Sequence, residues 1–395
     1  MSDPWLAIIG LGEDGLAGLS ETCRAALATA DIIFGGPRHL ALAEAGPRGR
    51  PWPVPFDIAP VLAERGHHVV VLASGDPFWH GAGGSLAAHL APGEWVSHPA
   101  PSTFSLAASR LAWRIEETVC LGLHAAPFER LVPVLGRGVR AICLLRDGAA
   151  VRGLADWLCA RGFGSSALTV LESLGGPDER IRRTTAASCG IDDAAYPVAV
   201  AIEVEGAAGL PRASGLEDAL FASDGVMTKR PVRALTLSAL APRPGERLWD
   251  LGAGSGSVAV EWCLAAPGAG ALALESRPDR VANIHANAAA FGIAHRLSVH
   301  EADWPSALAG LPRPDAVFIG GGATAAGIKA VRAAVPKGTR LVVNAVTIET
   351  EALLAACHAE LGGTLLRVEL AISEPLGRLR GWLPARPVVQ WSVTL

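Results

Sequence analysis

The sequence predicts an α/β chain built from more than one domain, and three observations carry that expectation. Apolar runs rich in Val, Ile and Leu recur between amphipathic stretches along the whole chain, the pattern of βαβ units feeding parallel sheets. At 395 residues the chain exceeds the size at which one hydrophobic core keeps growing. Its 45 Gly and 28 Pro also cut the apolar half of the composition into short runs. None approaches the roughly 20 residues of a membrane span.

Strands are expected at Leu6 to Ile9, Val69 to Leu72, Val119 to Leu121, Ala141 to Leu145, Leu168 to Leu171 and Val198 to Val204. An Arg110 to Glu117 bridge separates the first two from the rest, which divides this part into lobes of about 1–115 and 116–205. The small, Gly-rich stretch Gly206 to Gly225 follows a completed strand and reads as a linker, leaving 226–395 as a further domain.

Several function classes lose ground on composition. A formal charge of −4, with only three Lys among 34 basic residues, gives no field to draw in nucleic acid. Met1 to Ile9 lacks the basic start and apolar run of a secretory signal, so the cytoplasm is expected. The seven cysteines, at 23, 120, 143, 159, 189, 263 and 357, form no Cys-x-x-Cys pair and fit reduced, buried thiols. They imply neither a disulfide framework nor a metal site.

Chemistry is most legible after the Gly-rich stretch. Arg247 to Trp262 reads RLWDLGAGSGSVAVEW: an apolar strand reaching Asp250, a loop with Gly252, Gly254 and Gly256, and a helix starting near Ser257. Glycines let the backbone turn tightly and approach a ligand, and the helix start offers unpaired N–H groups. Nineteen residues after Gly256 the next strand ends in Glu275, placed to accept ribose hydroxyls. The G-x-G-x-G spacing favours S-adenosylmethionine over a dinucleotide in a Rossmann-like domain.

Asp303 follows a third strand near Leu297 to His300 and is expected at the adenine, with Trp304 either a face for the base or a core residue. The fourth strand, DAVFIGGG, ends in Gly320, Gly321 and Gly322 where amino-group methyltransferases carry an Asn/Asp-Pro-Pro-aromatic clamp. Three glycines form either an anion nest for a carboxylate or a plain tight turn. Upstream, MTKRPVR offers Thr228 as a helix cap and Pro231 in a first turn. Lys229 and Arg230 do not complement a helix start, so they serve either a ligand or a solvated face.

MTKR, WDLGAGSGSVAVEW, PDAVFIGGG and VVNAVTIETEA, spanning Met227 to Ala352, resemble the decarboxylating precorrin methyltransferases of cobalamin biosynthesis. IIGLGEDGLAGLS, ADIIFGGPRHL, LASGDPFWHG, PAPSTFSLAASRLAW and LTVLESLGGPDER resemble the tetrapyrrole (corrin/porphyrin) methylase family and its two-lobed fold. Together the resemblances imply methylation of precorrin-6B at ring carbons 5 and 15, with loss of carbon dioxide from the ring C acetate at carbon 12, giving precorrin-8. They imply two S-adenosylmethionine sites per chain, a tetrapyrrole substrate and a homo-oligomer.

By position, the first cofactor site would involve Gly10, Leu11, Gly12, Gly75, Asp76, Pro77, Ser102 and Thr103. The second would involve Thr228, Gly252, Ala253, Gly254, Ser255, Gly256, Glu275, Asp303 and Trp304, with Lys229, Arg230, Gly320, Gly321, Gly322 and Asn344 toward substrate. The resemblance assigns no general acid or base. Three departures from the family pattern stand out: Ala125-Ala126 after His124, Pro231 in MTKRPVR, and the ADWP turn at Ala302 to Pro305. The alternative is a single-site methyltransferase on another small molecule or macromolecule with the N-terminal half as a recognition or assembly module, and the first departure motivates the assembly reading of that half.

Overall fold

The computed structural model describes residues 4–395, so the first three residues of the Met1 to Ile9 reading lie outside it. It divides into two compact units: residues 4–128 with 134–209, and residues 129–133 with 210–395.

The first unit holds two five-stranded sheets. Strands β1 (Leu6–Leu11), β2 (Ile32–Gly35), β3 (Gly49–Pro51), β4 (Val69–Ser74) and β5 (Trp95–His98) lie in the order β3-β2-β4-β1-β5, all parallel. Ile9, Leu11, Ile33 and Leu72 pack with Leu19 and Leu27 on one face, and Leu6, Ile8, Phe34 and Val71 with Val61 and Leu86 on the other. Burial on both faces explains why these strands read as continuous apolar runs.

The second sheet comprises β6 (Val119–Gly122), β7 (Arg140–Leu145), β8 (Ala167–Glu172), β9 (Arg180–Thr185) and β10 (Val198–Glu203), in the order β6-β7-β10-β8-β9. The expectation of a parallel sheet fails here. Only β6 and β7 run parallel, whereas β10 is antiparallel to both its neighbours and β8 to β9. Residues 173–179 are too few for the crossover that a parallel β8–β9 pair requires.

In the second unit, β11 (Arg247–Leu251), β12 (Gly270–Glu275), β13 (Leu297–Glu301), β14 (Ala316–Ile319), β15 (Arg340–Ala345), β16 (Thr364–Val368) and β19 (Val388–Thr394) form a seven-stranded sheet, ordered β13-β12-β11-β14-β15-β19-β16. The first five are parallel, and β19 is antiparallel to both β15 and β16. Between β16 and β19 lies a separate hairpin of β17 (Ala371–Leu376) and β18 (Leu379–Pro384). Ile372, Leu376, Leu379 and Trp382 are exposed there.

The expected linker needs correction. Leu216 and Phe221 are buried in the core of the second unit beside Leu237, Val258 and Trp262. Residues from Leu210 onward therefore belong to that unit. The glycines mark turns rather than freedom, since Gly206, Gly209, Gly215 and Gly225 all take positive φ. The cysteine reading also changes: Cys120 and Cys357 are half-buried and Cys159 is exposed.

A buried ion pair holds this segment. Arg233, in the helix Arg230–Leu240, donates from Nε to Glu261 Oε1 at 2.6 Å and from Nη1 to Asp218 and to the Thr228 carbonyl. Its Nη2 reaches the Leu216 carbonyl, while Glu261 also accepts the N–H groups of Gly215 and Leu216. A buried charge stripped of its partner costs about 3–5 kcal/mol. Arg233→Met should therefore lower the unfolding free energy of the second unit within the full chain by that order, seen as a lower denaturant midpoint, and adding Glu261→Gln should recover part of the loss. Unchanged midpoints would show that the pair holds nothing.

Candidate functional site

Both units place glycines and polar groups at the carboxyl edge of a parallel sheet, where such folds bind ligands. In the first unit a cavity of about 340 Å³ opens there. A β-carbon on Gly10 would fall 1.8 Å from the Gly75 carbonyl oxygen, so only glycine lets β1 close against the turn after β4. Leu11, Gly12, Gly75, Ser102 and Thr103 line the cavity.

Gly10, Asp76 and Pro77 stand behind that wall and shape it. Asp76 Oδ1 accepts the Phe78 N–H at 2.9 Å, and the Pro77 carbonyl accepts that of Gly83. Ser102 Oγ caps the helix Thr103–Leu111 by accepting the Ser105 N–H at 3.1 Å.

Sequence reasoning gave no role to a second group of lining residues, on the GGPRHL turn after β2. Arg38 is ion-paired with Glu13, donates to Ser74 Oγ at 3.0 Å and stands over the Tyr196 ring. His39 Nε2 lies 2.9 Å from Arg38 Nη2. A guanidinium only donates, so Nε2 is the acceptor and the neutral ring carries its hydrogen on Nδ1. Burial, then the Arg38 charge, push the His39 pKa down to about 4. An Arg-His pair after a strand-ending glycine turn was the signal available.

In the second unit the order β12-β11-β14 puts a topological switch between β11 and β14. Gly252, Gly254 and Gly256 all take positive φ, and a β-carbon on Gly256 would press to 2.9 Å from Ile284 Cγ2. The helix Ser257–Ala265 begins immediately after them. Glu275 Oε2 accepts the Gly254 N–H at 2.8 Å and Oε1 that of Arg277, so this carboxylate braces the loop from the end of β12.

Neighbouring segments converge on the loop. β-carbons built on Gly252 and Gly254 would lie 3.9 Å from the Trp304 indole and 3.7 Å from the Val226 carbonyl. Gly320 and Gly321 sit across the switch, next to Gly252. Gly322 takes positive φ, and among the described residues no backbone carbonyl accepts from the N–H of Gly321 or Gly322. Asp303 is exposed at the start of the short helix Trp304–Ala307.

Four readings change. Thr228 is not the helix cap: Lys229 occupies that position and Asp218 Oδ1 accepts the Arg230 N–H at 3.0 Å, while Thr228 is held through its carbonyl. Arg230 is ion-paired with Glu217, and Lys229 Nζ donates to the Gly225 carbonyl. Trp304 is 7% exposed within the apolar core, with only its indole edge toward Gly252. Asn344 does not line a ligand surface. Its buried amide donates to Thr236 Oγ1 at 3.0 Å and accepts from Gln390 at 2.9 Å, tying β15 to β19 and to the helix Arg230–Leu240.

Asp250 carries the strongest electrostatic feature. It is buried, with Oδ2 accepting the Ala259 N–H at 3.2 Å, and among the described residues neither its Oδ1 nor the buried Ser255 hydroxyl has a partner. Burial pushes its carboxyl up to about 7 against that hydrogen bond, and the Glu275 charge adds to the rise. An orphaned carboxylate oxygen and a hydroxyl behind an open glycine loop fit a ligand that brings a cation and hydrogen-bonding groups.

Comparison with known proteins gives a consistent result. Residues 6–189 match the family of tetrapyrrole (corrin/porphyrin) methylases and residues 219–395 the precorrin methyltransferase domain. Among curated proteins, a precorrin-6Y C(5,15)-methyltransferase [decarboxylating] of Sinorhizobium sp is 49% identical over 99% of this chain and 96% of its own length. One of Mycobacterium tuberculosis (strain CDC 1551 / Oshkosh) is 42% identical over 98% and 99%. Among solved structures, the C-terminal domain of precorrin-6Y C5,15-methyltransferase from Rhodobacter capsulatus is 50% identical, covering 47% of this chain and all of its own, with a TM-score of 0.46.

The Asp250 geometry sets a pH-dependent expectation for the ligand-free protein. An acid whose folded pKa is raised weakens the fold as pH climbs from the unfolded value near 4 to the folded value near 7, and the loss then levels off. Asp250→Asn should therefore stabilise the second unit by up to about 4 kcal/mol above pH 7, with the gain shrinking toward pH 4. Thermal melts across that range measure it, and a gain independent of pH would refute the assignment.

Proposed function

The chain belongs to the precorrin-6Y C(5,15)-methyltransferase (decarboxylating) family, and from that premise we propose that its two units divide the reaction between them. It is an S-adenosylmethionine-dependent methyltransferase of cobalamin biosynthesis. In this reading the substrate is precorrin-6B, and the product carries new methyl groups on carbons 5 and 15 and has lost the carbon 12 acetate carboxyl as carbon dioxide. The observation that carries a two-site reading is the pair of carboxyl-edge sites, one in each unit.

S-adenosylmethionine supplies a methyl group already activated on a sulfonium, so the protein's task is to bind, align and exclude water. In the second unit the loop Gly252 to Gly256, Glu275 and Asp303 hold the nucleoside end, Thr228 borders it, and Asp250 and Ser255 meet the polar end. Gly320 to Gly322 offer backbone N–H groups to a substrate carboxylate. In the first unit Leu11, Gly12, Gly75, Ser102 and Thr103 form the ligand wall, with Gly10, Asp76 and Pro77 fixing its shape. Loss of carbon dioxide needs a ring that accepts the electron pair and an acetate stripped of water. We assign that step and the carbon 15 methylation to the second unit, and carbon 5 to the first.

We also propose that the enzyme acts in the cytoplasm and self-associates through the β17–β18 hairpin. An isolated two-stranded ribbon is marginal in water, and its exposed Ile372, Leu376, Leu379 and Leu383 share one face, an apolar surface that a second copy of the chain can cover. Leu379→Glu should lower the mass seen by light scattering to that of one chain. A wild-type chain that is itself monomeric at micromolar concentration would remove this proposal.

For the division of labour, the full chain should bind two S-adenosylmethionine per polypeptide by calorimetry, and Gly254→Arg should bind one. With precorrin-6B and labelled methyl donor, the wild type should add two methyl groups and release one carbon dioxide, and Gly254→Arg should release none. One bound molecule in the wild type would leave a single catalytic unit and favour the recognition-module alternative.

A further inference from the structure

Carbon 5 of a tetrapyrrole bridges two rings and carries a hydrogen, so its methylation includes a proton transfer. A ring π pair forms the new carbon–carbon bond while the methyl–sulfur bond breaks and sulfur keeps its electrons. The carbon–hydrogen bond then breaks, its pair restores the conjugation, and the proton must go to an acceptor. The chemistry rests on the reading that the first unit methylates this carbon.

Five groups lining the cavity of that unit bear on the acceptor: Glu13, His39, Tyr196, His80 and His124. Three are poor choices. Glu13 is ion-paired with Arg38, the His39 Nε2 lone pair is directed at the Arg38 guanidinium, and a neutral phenol is a weak base. The two remaining imidazoles meet at the cavity wall, one from each lobe. Their centroids are 6.2 Å apart with the rings nearly perpendicular. His80 follows the turn after β4 and packs against the buried Phe104, with ring centroids 6.0 Å apart and tilted. His124 follows β6, and among the described residues no hydrogen bond engages its ring nitrogens.

The meeting is built at some cost. His80 has φ +61, a conformation that a residue with a β-carbon adopts reluctantly and that clusters at functional sites. Gly122 provides the space, since a β-carbon there would lie 3.1 Å from His124 Cε1 and 3.3 Å from His80 Cδ2. We propose that His124 accepts the proton lost from carbon 5 during methylation in the first unit, and that His80 positions its ring.

The test uses the full chain, precorrin-6B and S-adenosylmethionine, with methyl addition at carbons 5 and 15 followed separately by mass spectrometry and NMR. His124→Ala should leave carbon 15 methylation, carbon dioxide release and the number of bound S-adenosylmethionine molecules unchanged. Carbon 5 methylation should slow by about a hundredfold or more. Its fall on the acid side of the pH profile should vanish, deuterium at carbon 5 should slow the variant more than the wild type, and added imidazole should restore the rate. Unchanged carbon 5 methylation overturns the proposal, as does a slower variant that keeps the wild-type pH profile and isotope effect and ignores imidazole. A wild type that adds no methyl at carbon 5 overturns the premise instead.

Discussion

The buried pair of Arg233 and Glu261 is the constraint on which the second unit rests. Two charges inside a protein are tolerable only when nearly every donor and lone pair is used, and here one guanidinium reaches Glu261, Asp218 and the carbonyls of Leu216 and Thr228. Glu261 belongs to the helix that begins behind the glycine loop, and Thr228 belongs to the segment that borders that loop. Satisfying one cation therefore fixes the Gly-rich stretch, the segment before the first helix and the helix carrying the ligand loop relative to one another. The Thr236, Asn344 and Gln390 cluster ties that same first helix to β15 and β19.

The two units solve the same problem with different materials. In the second, backbone does most of the work: glycines with positive φ, a carboxylate bracing one of their N–H groups, and a buried aspartate with one oxygen unmatched. In the first, side chains line a cavity, with ion-paired Arg38, neutral His39 and two imidazoles among them. A glycine loop can hold one extended ligand, whereas a cavity lined by imidazoles can also move a proton.

What could be read from the sequence follows the range over which each feature is encoded. The loop Gly252 to Gly256 and the acids at 250 and 275 lie within one βαβ unit, so spacing alone revealed them. The antiparallel course of β10 depends on which strands it meets, and an apolar run looks alike in either direction. The Gly206 to Gly225 stretch misled because composition marks turns but not what lies beneath them. Leu216 and Phe221 were the apolar clue, and Glu261 within the apolar run SVAVEW was another, since a carboxylate there needs a buried cation. Asn344 carried no local sign that Thr236 and Gln390 would claim its amide. His80 and His124 meet only in the folded unit.

The position of β19 has a consequence for synthesis. This strand follows all the others in sequence yet fills an interior place, bonded to β15 on one side and β16 on the other, with Trp391 buried against the core. While the chain emerges from the ribosome, β15 keeps an open edge and the Thr236 hydroxyl and Asn344 amide lack Gln390 until β19 appears. The first unit can close its sheets as soon as β10 is made, but the second must wait with an unpaired parallel edge exposed. Its period of greatest exposure to misassociation is thus set by the order of the strands.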